Sequence, residues 1–239
     1  MAVGGARSGA REAVDAPGAR GAEAKGDAAR SYLTLREGAV AEAEFVDRRS
    51  RFIARLVHVD DEGAAQGLLA QTRARHYDAR HNVPAWILSD GRERASDDGE
   101  PQRTAGMPVL DVLRGEGLAD VACVVTRYFG GTLLGPGGLV RAYGTATRRA
   151  VEAARAAGDV VEMTAVVPVS VRVPYALLDR VRDLAARSGA HERGCAYAAD
   201  VELAFVFRSG EQEGFVAALR ELANGRDLCS VGAEAFDEF

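Results

Sequence analysis

The sequence predicts an α+β protein with two folded domains that follow a polar amino-terminal extension. Three observations support this prediction. Alternating and continuous apolar runs typical of strands are interspersed with segments of helical spacing. Hydrophobic residues make up 47% of the 239 residues, which is ample for buried cores. The rhythm of the segments changes near residue 163, so we expect a first domain over 31–162 and a second over 163–239.

Residues 1–30 differ from the rest of the chain in composition. They are rich in Gly, Ala and Arg, contain no aromatic residue and show no apolar periodicity. Such a segment cannot bury enough apolar surface to offset the entropy that it loses on ordering. We therefore expect a disordered extension, and its scattered acidic residues nearly balance its basic ones.

The first domain begins with a predicted antiparallel hairpin around the polar turn 47–50. Its run 121–128 is continuously apolar and rich in β-branched residues, which is typical of a central strand. The predicted strands cover 42–46, 51–59, 83–88 and 121–128, and the predicted helices run from Asp60 or Asp61 to about His76, from Pro108 to 113 and over 139–157, closed by Gly158.

The second domain shows a different order of segments. Its signals give the order β-α-β-β-α-β, which is the split βαβ or ferredoxin-like plan. The predicted strands cover 166–173, 192–197, 201–208 and 228–233, and the predicted helices cover 174–188 and 211–224.

Charge and cysteine content limit the classes of function. The 35 acidic and 30 basic residues give a net charge of −5, so any nucleic-acid surface must be local. Cys123, Cys195 and Cys229 lie far apart without a CxxC pair, which disfavours a disulfide framework and a zinc knuckle. We expect a cytoplasmic protein without a membrane span, because no apolar run is long enough to cross a bilayer.

The segment 121–147 carries the most informative pattern. A hydrophobic strand runs into five glycines within nine residues, and these lead directly into a helix. Glycines let the backbone approach a ligand closely, and the N–H groups at a helix start favour an anion. Arg127 and Arg141 flank the glycines and supply donors for phosphate oxygens. The alternative is a turn that only lets strand and helix pack closely, since the spacing matches neither a P-loop nor a dinucleotide-binding motif.

The stretch 96–108 places three carboxylates, those of Asp97, Asp98 and Glu100, in a turn rich in Gly and Pro. Carboxylates so spaced suit a hard cation such as Mg²⁺, or they stabilise the turn by accepting backbone hydrogen bonds, and both alternatives are open. We expect this turn to face the glycine-rich segment, because its carboxylates then find Arg127 or Arg141 as partners. The predicted anion- or nucleic-acid-binding set is Arg103, Thr104, Arg127, Tyr128, Gly130, Gly131, Gly135, Gly137, Gly138 and Arg141, with His81 in a secondary role.

Four strings together resemble the IMPACT/YigZ family: SRFIARL, DARHNVPAW, SDDGEPQRTAGMP and VVTRYFGGTLLGPGGLVRAY. The resemblance covers about residues 35–160 and extends more loosely over 165–239. It implies a first domain like the second domain of a small-subunit ribosomal protein, and a second like the ferredoxin-like last domain of elongation factor G. Arg103 stands where the family commonly has Gly. Residues 82–84 replace a Cys-containing string after His81, which disfavours a cysteine nucleophile there.

The resemblance also implies a link with translation, since the eukaryotic relatives are translation regulators, and it implies no established reaction. No catalytic motif such as GxSxG or HExxH occurs in the sequence. We therefore favour a non-catalytic protein that binds RNA, the ribosome or a translation factor at the glycine-rich anion site. The alternatives are a Mg²⁺-dependent enzyme acting on a phosphorylated or nucleotide ligand, and an adaptor that binds proteins through the open sheet face of its second domain.

Overall fold

The computed structural model describes residues 31–239, so the extension over 1–30 lies outside the described residues. The described chain forms two antiparallel sheets with helices packed against them, which confirms the α+β class. No helix in 31–239 is long and apolar enough to cross a membrane. The elements of the first half are β1 (Ser31–Leu35), β2 (Val40–Asp47), β3 (Ser50–His58), α1 (Glu62–Arg75), β4 (His81–Ile87), β5 (Glu93–Ala95), α2 (Gly106–Gly115), β6 (Val121–Tyr128) and α3 (Gly135–Ala157).

The first sheet has the strand order β2-β3-β6-β4-β5. Helices α2 and α3 cover one face, where Phe52 and Tyr143 lie in the main core, and α1 covers the other face around Trp86. Strand β6 is therefore buried on both faces along its whole length except at Tyr128. This double burial explains its unbroken apolar sequence, and the predicted central strand is confirmed.

The second half follows the predicted order of elements. The strands β8, β9, β7 and β10 lie side by side with antiparallel pairing, and α4 and α5 cover one face through a core that includes Val181 and Phe215. These elements are β7 (Val160–Val173), a short 3-10 turn (Tyr175–Leu177), α4 (Leu178–Arg187), β8 (His191–Tyr197), β9 (Val201–Arg208), α5 (Gln212–Leu222), β10 (Cys229–Val231) and β11 (Ala235–Glu238).

The predicted domain boundary falls inside the continuous strand β7. The first residues of β7 pair with β1, whose Leu35 is fully buried in the core of the first half. Later residues of β7 pair with β9 in the second half. The halves thus have separate cores but share a strand at the predicted boundary, and their division into independently folding domains stays a prediction.

Several element boundaries differ from those that the sequence predicts. Strands β1, β5 and β11 have no counterpart in the prediction, because they are only three to five residues long. Strands β1 and β11 are held by pairing with the distant β7, and β5 by pairing with β4. Helix α3 begins at Gly135 instead of residue 139, since Pro136 suits the first turn of a helix. Helix α2 likewise begins two residues before Pro108.

Gly130 allows a close approach between two backbone segments. A Cβ atom at this position would lie 2.0 Å from the carbonyl carbon of Arg49, in the turn between β2 and β3. We expect Gly130→Ala to lower the free energy of unfolding by about 1 to 3 kcal/mol, as overpacking does. Urea denaturation measures this change. Gly137→Ala is the matched control, because a Cβ there meets nothing within 4 Å, and equal losses in both variants would contradict the close approach.

Candidate functional site

Five segments meet at the end of the first sheet where β6 finishes. They are the turn 47–50, the segment 76–80, the acidic turn 96–104, the loop 129–134 and the first two turns of α3, and we call them together the arginine-rich end. Hydrogen bonds join these segments. The Gly130 N–H donates to Ser50 Oγ at an N to O distance of 3.1 Å, and the Tyr128 hydroxyl donates to Asp78 Oδ1 at 3.1 Å.

A buried ion pair lies at the centre of this end. Arg127 Nη1 is 2.6 Å from Glu100 Oε1, and the same oxygen accepts from the Tyr143 hydroxyl at 2.7 Å. Burial, followed by the charge of Glu100, raises the pKa of Tyr143, which therefore stays a proton donor. The guanidinium lies over the rings of Phe52 and Phe129, with its carbon 5.5 and 5.6 Å from the two centroids.

The predicted meeting of the acidic turn with Arg127 is thus observed. It also changes how Arg127 is understood, because only 7% of its side chain is exposed and its charge is already matched by Glu100. A strand-end arginine in this state orients its neighbours and offers no open donor to a phosphate. Its Nε is buried without a hydrogen-bond partner among the described residues.

Asp97 stabilises the start of α2. Its carboxylate accepts hydrogen bonds from the backbone N–H groups of Arg103, Ala105 and Gly106, with N to O distances of 2.7, 3.0 and 2.9 Å. Burial by itself raises the pKa of Asp97, but these three amides outweigh it and leave the pKa below its usual value. The side chain is an acceptor for a helix start, as in one of the two alternatives for this turn.

Asp98 connects the acidic turn to β4 and α1. Its carboxylate accepts from the Asn82 N–H at 2.6 Å and pairs with Arg73 Nη2 at 2.6 Å, while its carbonyl accepts from His81 Nδ1 at 2.8 Å. The three carboxylates of the turn therefore have three separate sets of partners. Within residues 31–239, no three His, Cys, Asp or Glu side chains are grouped so that they would hold a metal ion.

We expect Asp97→Asn to lower the free energy of unfolding by about 1 to 3 kcal/mol at neutral pH, because a charged acceptor of backbone amides becomes neutral. The folded pKa is depressed, so this stabilisation is complete above the unfolded pKa of about 4 and disappears as the pH falls through the folded value. Urea denaturation of both proteins from pH 7 to pH 3 should show a constant difference that shrinks below about pH 4. A difference independent of pH would contradict this role.

The glycine-rich segment forms an exposed loop and an open helix start. Gly131 and Gly135 have φ angles of 82° and 71°, in the left-handed region that favours glycine. No described side chain caps the start of α3, and Gly137 leaves open space beside the backbone. Gly135 and Gly137 are exposed, so their backbone N–H groups are open donors, while Pro136 between them has no N–H.

Two arginines in the turn between β2 and β3 have no place in the predicted site. Arg48 and Arg49 occupy the two central positions with φ angles of 45° and 66°, where Asn-Gly is the favoured pair. Both are exposed, and neither forms an ion pair with an acidic residue in 31–239; Arg49 Nη2 reaches only Thr132 Oγ1, at 3.4 Å. The sequence shows this feature only as Arg-Arg at a tight hairpin turn. Non-glycine residues are strained at these two positions, and strained backbone positions cluster at functional sites.

The other predicted residues lie around this turn. Arg141 has 63% of its side chain exposed, and its Nη2 is 3.2 Å from Asp47 Oδ2. Arg103 is exposed with a φ of 63°, which accounts for the glycine that the family commonly has there. Thr104 is buried, and its hydroxyl donates to the Pro101 carbonyl. The hydroxyl of Tyr128, which contacts Asp78, also contacts His76 Nδ1.

Comparison with known proteins agrees with the resemblance. The Impact N-terminal domain matches residues 48–151, and a domain of unknown function, DUF1949, matches residues 171–226. The IMPACT family member YvyE of Bacillus subtilis (strain 168) is 35% identical over 198 residues, which cover 82% of this chain and 88% of YvyE. The chain belongs to the IMPACT family.

Two further proteins match this chain over different lengths. YigZ of Escherichia coli (strain K12) is 46% identical over 108 residues, which are 44% of this chain and 53% of YigZ. A crystal structure described as that of a hypothetical protein is 31% identical in sequence and has a TM-score of 0.56. The match covers 85% of this chain and 97% of the chain in that structure. The similarity to that structure therefore extends over both halves of the chain.

Proposed function

We propose that this IMPACT family member is a non-catalytic binding protein, linked to translation regulation, that binds RNA at the arginine-rich end. The observation that carries this proposal is the pair of exposed arginines, Arg48 and Arg49, beside the uncapped start of α3. Guanidinium groups and helix N–H groups are the donors that bind phosphates. The family resemblance supplies the link with translation.

The distribution of charge supports this location in a chain of net charge −5. Each acidic group of the arginine-rich end has a partner within this end or beside it. Asp97 accepts from backbone amides, and Glu100 and Asp98 pair with Arg127 and Arg73. Asp47 pairs with Arg141, and Asp78 accepts from the Tyr128 hydroxyl. Arg48, Arg49 and Arg103 are left exposed without an ion pair to a described acidic residue.

The arginines without an ion pair give a local positive field that attracts a polyanion to this end of the first half. Association of this kind weakens steeply as salt is added, because bound phosphates release their counterions. Salt dependence therefore distinguishes phosphate binding from recognition of a neutral ligand.

We expect Arg141→Ala to weaken RNA binding about 10- to 100-fold, since one hydrogen bond to a charged group contributes about 1.5 to 3 kcal/mol. Fluorescence anisotropy with a labelled oligonucleotide measures the affinity. Deletion of residues 1–30 is the control and should change the affinity by less than about threefold. If the deletion abolishes binding and Arg141→Ala does not, RNA is bound by the extension instead of the arginine-rich end.

A further inference from the structure

Phe129 presents one face of its ring to solvent at the arginine-rich end. The residue directly follows β6 and is 51% exposed, although its ring is large and apolar. Its inner face lies over the Arg127 guanidinium, whose carbon is 5.6 Å from the ring centroid. The exposed part of the ring is therefore its outer face and edge.

The ring is held in place from below and from the side. Arg127 is fixed by Glu100 and by the ring of Phe52, so the cation under Phe129 cannot swing away without breaking a buried ion pair. Gly130, the next residue, contacts the backbone at Arg49 and donates its N–H to Ser50 Oγ. An aromatic surface with a fixed orientation loses little entropy when a flat ligand stacks on it.

Other exposed cationic and aromatic side chains belong to the segments of the arginine-rich end. Arg49 lies against the same loop, and Tyr77, which is 87% exposed, belongs to the segment whose Asp78 contacts the end of β6. Proteins that bind single-stranded nucleic acid combine basic residues for the backbone with aromatic side chains on which bases stack. A duplex offers phosphates but keeps the faces of its bases inside the helix.

Resting on the proposed function, we infer that the arginine-rich end takes single-stranded RNA, with an unpaired base stacked on Phe129. Duplex RNA presents the same charge but no free base, so it binds more weakly at this end. Because every base has a flat face, stacking of this kind is tolerant of sequence.

The test compares variants of Phe129 in the full chain with single-stranded poly(U), an abasic strand of equal length and a duplex. Phe129→Ala and Phe129→Leu should weaken poly(U) binding about 5- to 100-fold and leave abasic binding nearly unchanged, because the surface for a base is lost while the exposed arginines remain. Phe129→Trp should retain affinity, and poly(U) but not the abasic strand should quench its fluorescence. The natural Trp86 is 7% exposed and lies beneath α1, so it does not obscure this signal.

Leu133→Ala is the matched control, because Leu133 is 80% exposed on the same loop and has no aromatic face. It should change poly(U) affinity by less than about twofold. If Phe129→Leu binds poly(U) as tightly as the natural protein, or loses abasic binding equally, the stacking inference is wrong while RNA binding itself stands. If the natural protein binds neither strand nor duplex at low salt, the proposed function fails and the inference fails with it.

Discussion

Glu100→Gln should lower the free energy of unfolding by about 3 to 5 kcal/mol, because it leaves the Arg127 guanidinium buried without a countercharge. The two side chains are 4% and 7% exposed, and Arg127 Nη1 is 2.6 Å from Glu100 Oε1. Water therefore cannot replace the lost carboxylate charge without opening the core beside Phe52. Urea denaturation measures the loss as a lower midpoint with an unchanged slope.

Two comparisons show whether the charge itself is responsible. Arg127→Met combined with Glu100→Gln should recover at least half of the loss, since it removes the unpaired cation and keeps an acceptor for Tyr143. Glu93→Gln, which breaks the surface pair with Arg114, should cost less than about 1 kcal/mol. A double variant that is no more stable than Glu100→Gln would contradict the buried-charge explanation.

Reversing the charge of the hairpin turn should have the largest effect on binding. We expect Arg48→Glu combined with Arg49→Glu to weaken binding to single-stranded RNA by at least about 100-fold, because two phosphate contacts of about 1.5 to 3 kcal/mol each are replaced by repulsion. The dependence of affinity on salt should become shallower in the same variant. Anisotropy titrations at several salt concentrations measure both quantities.

A second substitution at the same turn separates binding from folding. Arg48→Asn combined with Arg49→Gly introduces the pair that this hairpin turn favours, and we expect it to stabilise the fold by about 1 to 2 kcal/mol by relieving the backbone. The same variant should bind RNA more weakly, since both guanidinium groups are gone. Arg180→Glu with Arg187→Glu, on the exposed face of α4, changes the charge as much as Arg48→Glu with Arg49→Glu. It is the control for that charge reversal and should leave affinity nearly unchanged. A variant that is stabilised and still binds fully would show that the two arginines have no role in binding.

The sequence predicts a helix or strand well where the residues of that segment alone determine its secondary structure. The run 121–125 is apolar throughout because both faces of β6 are buried, and β2 alternates because only one of its faces packs on α3. Strand β5 could not be predicted, since it has only three residues, two of them charged, and depends on pairing with Ala85 to Ile87. The early start of β7 depends in the same way on β1, which lies 125 or more residues earlier in the chain.

The sequence identifies the main segments of the candidate site but not which of their side chains pair with one another. The sequence predicts that the acidic turn meets Arg127, but it does not show that Glu100 is buried with it, because burial depends on Tyr143 from a distant helix. Asp97 and Asp98 are neighbours in one turn and both are carboxylates. In the fold, Asp97 binds the start of α2, whereas Asp98 contacts Asn82 and Arg73. Arg48 and Arg49 were predicted to lie in a turn, and only their positive φ angles and the contact of Arg49 with the loop 129–134 indicate a role in binding.

Photochemical crosslinking of single-stranded RNA to the full chain, followed by peptide mapping, tests RNA binding at the arginine-rich end most directly. The expected crosslinks lie in the peptides that contain 47–51, 76–80 and 129–141, and they should disappear in the Arg48→Glu, Arg49→Glu variant. Crosslinks confined to residues 1–30 or 163–239 would contradict the proposal that the arginine-rich end binds RNA.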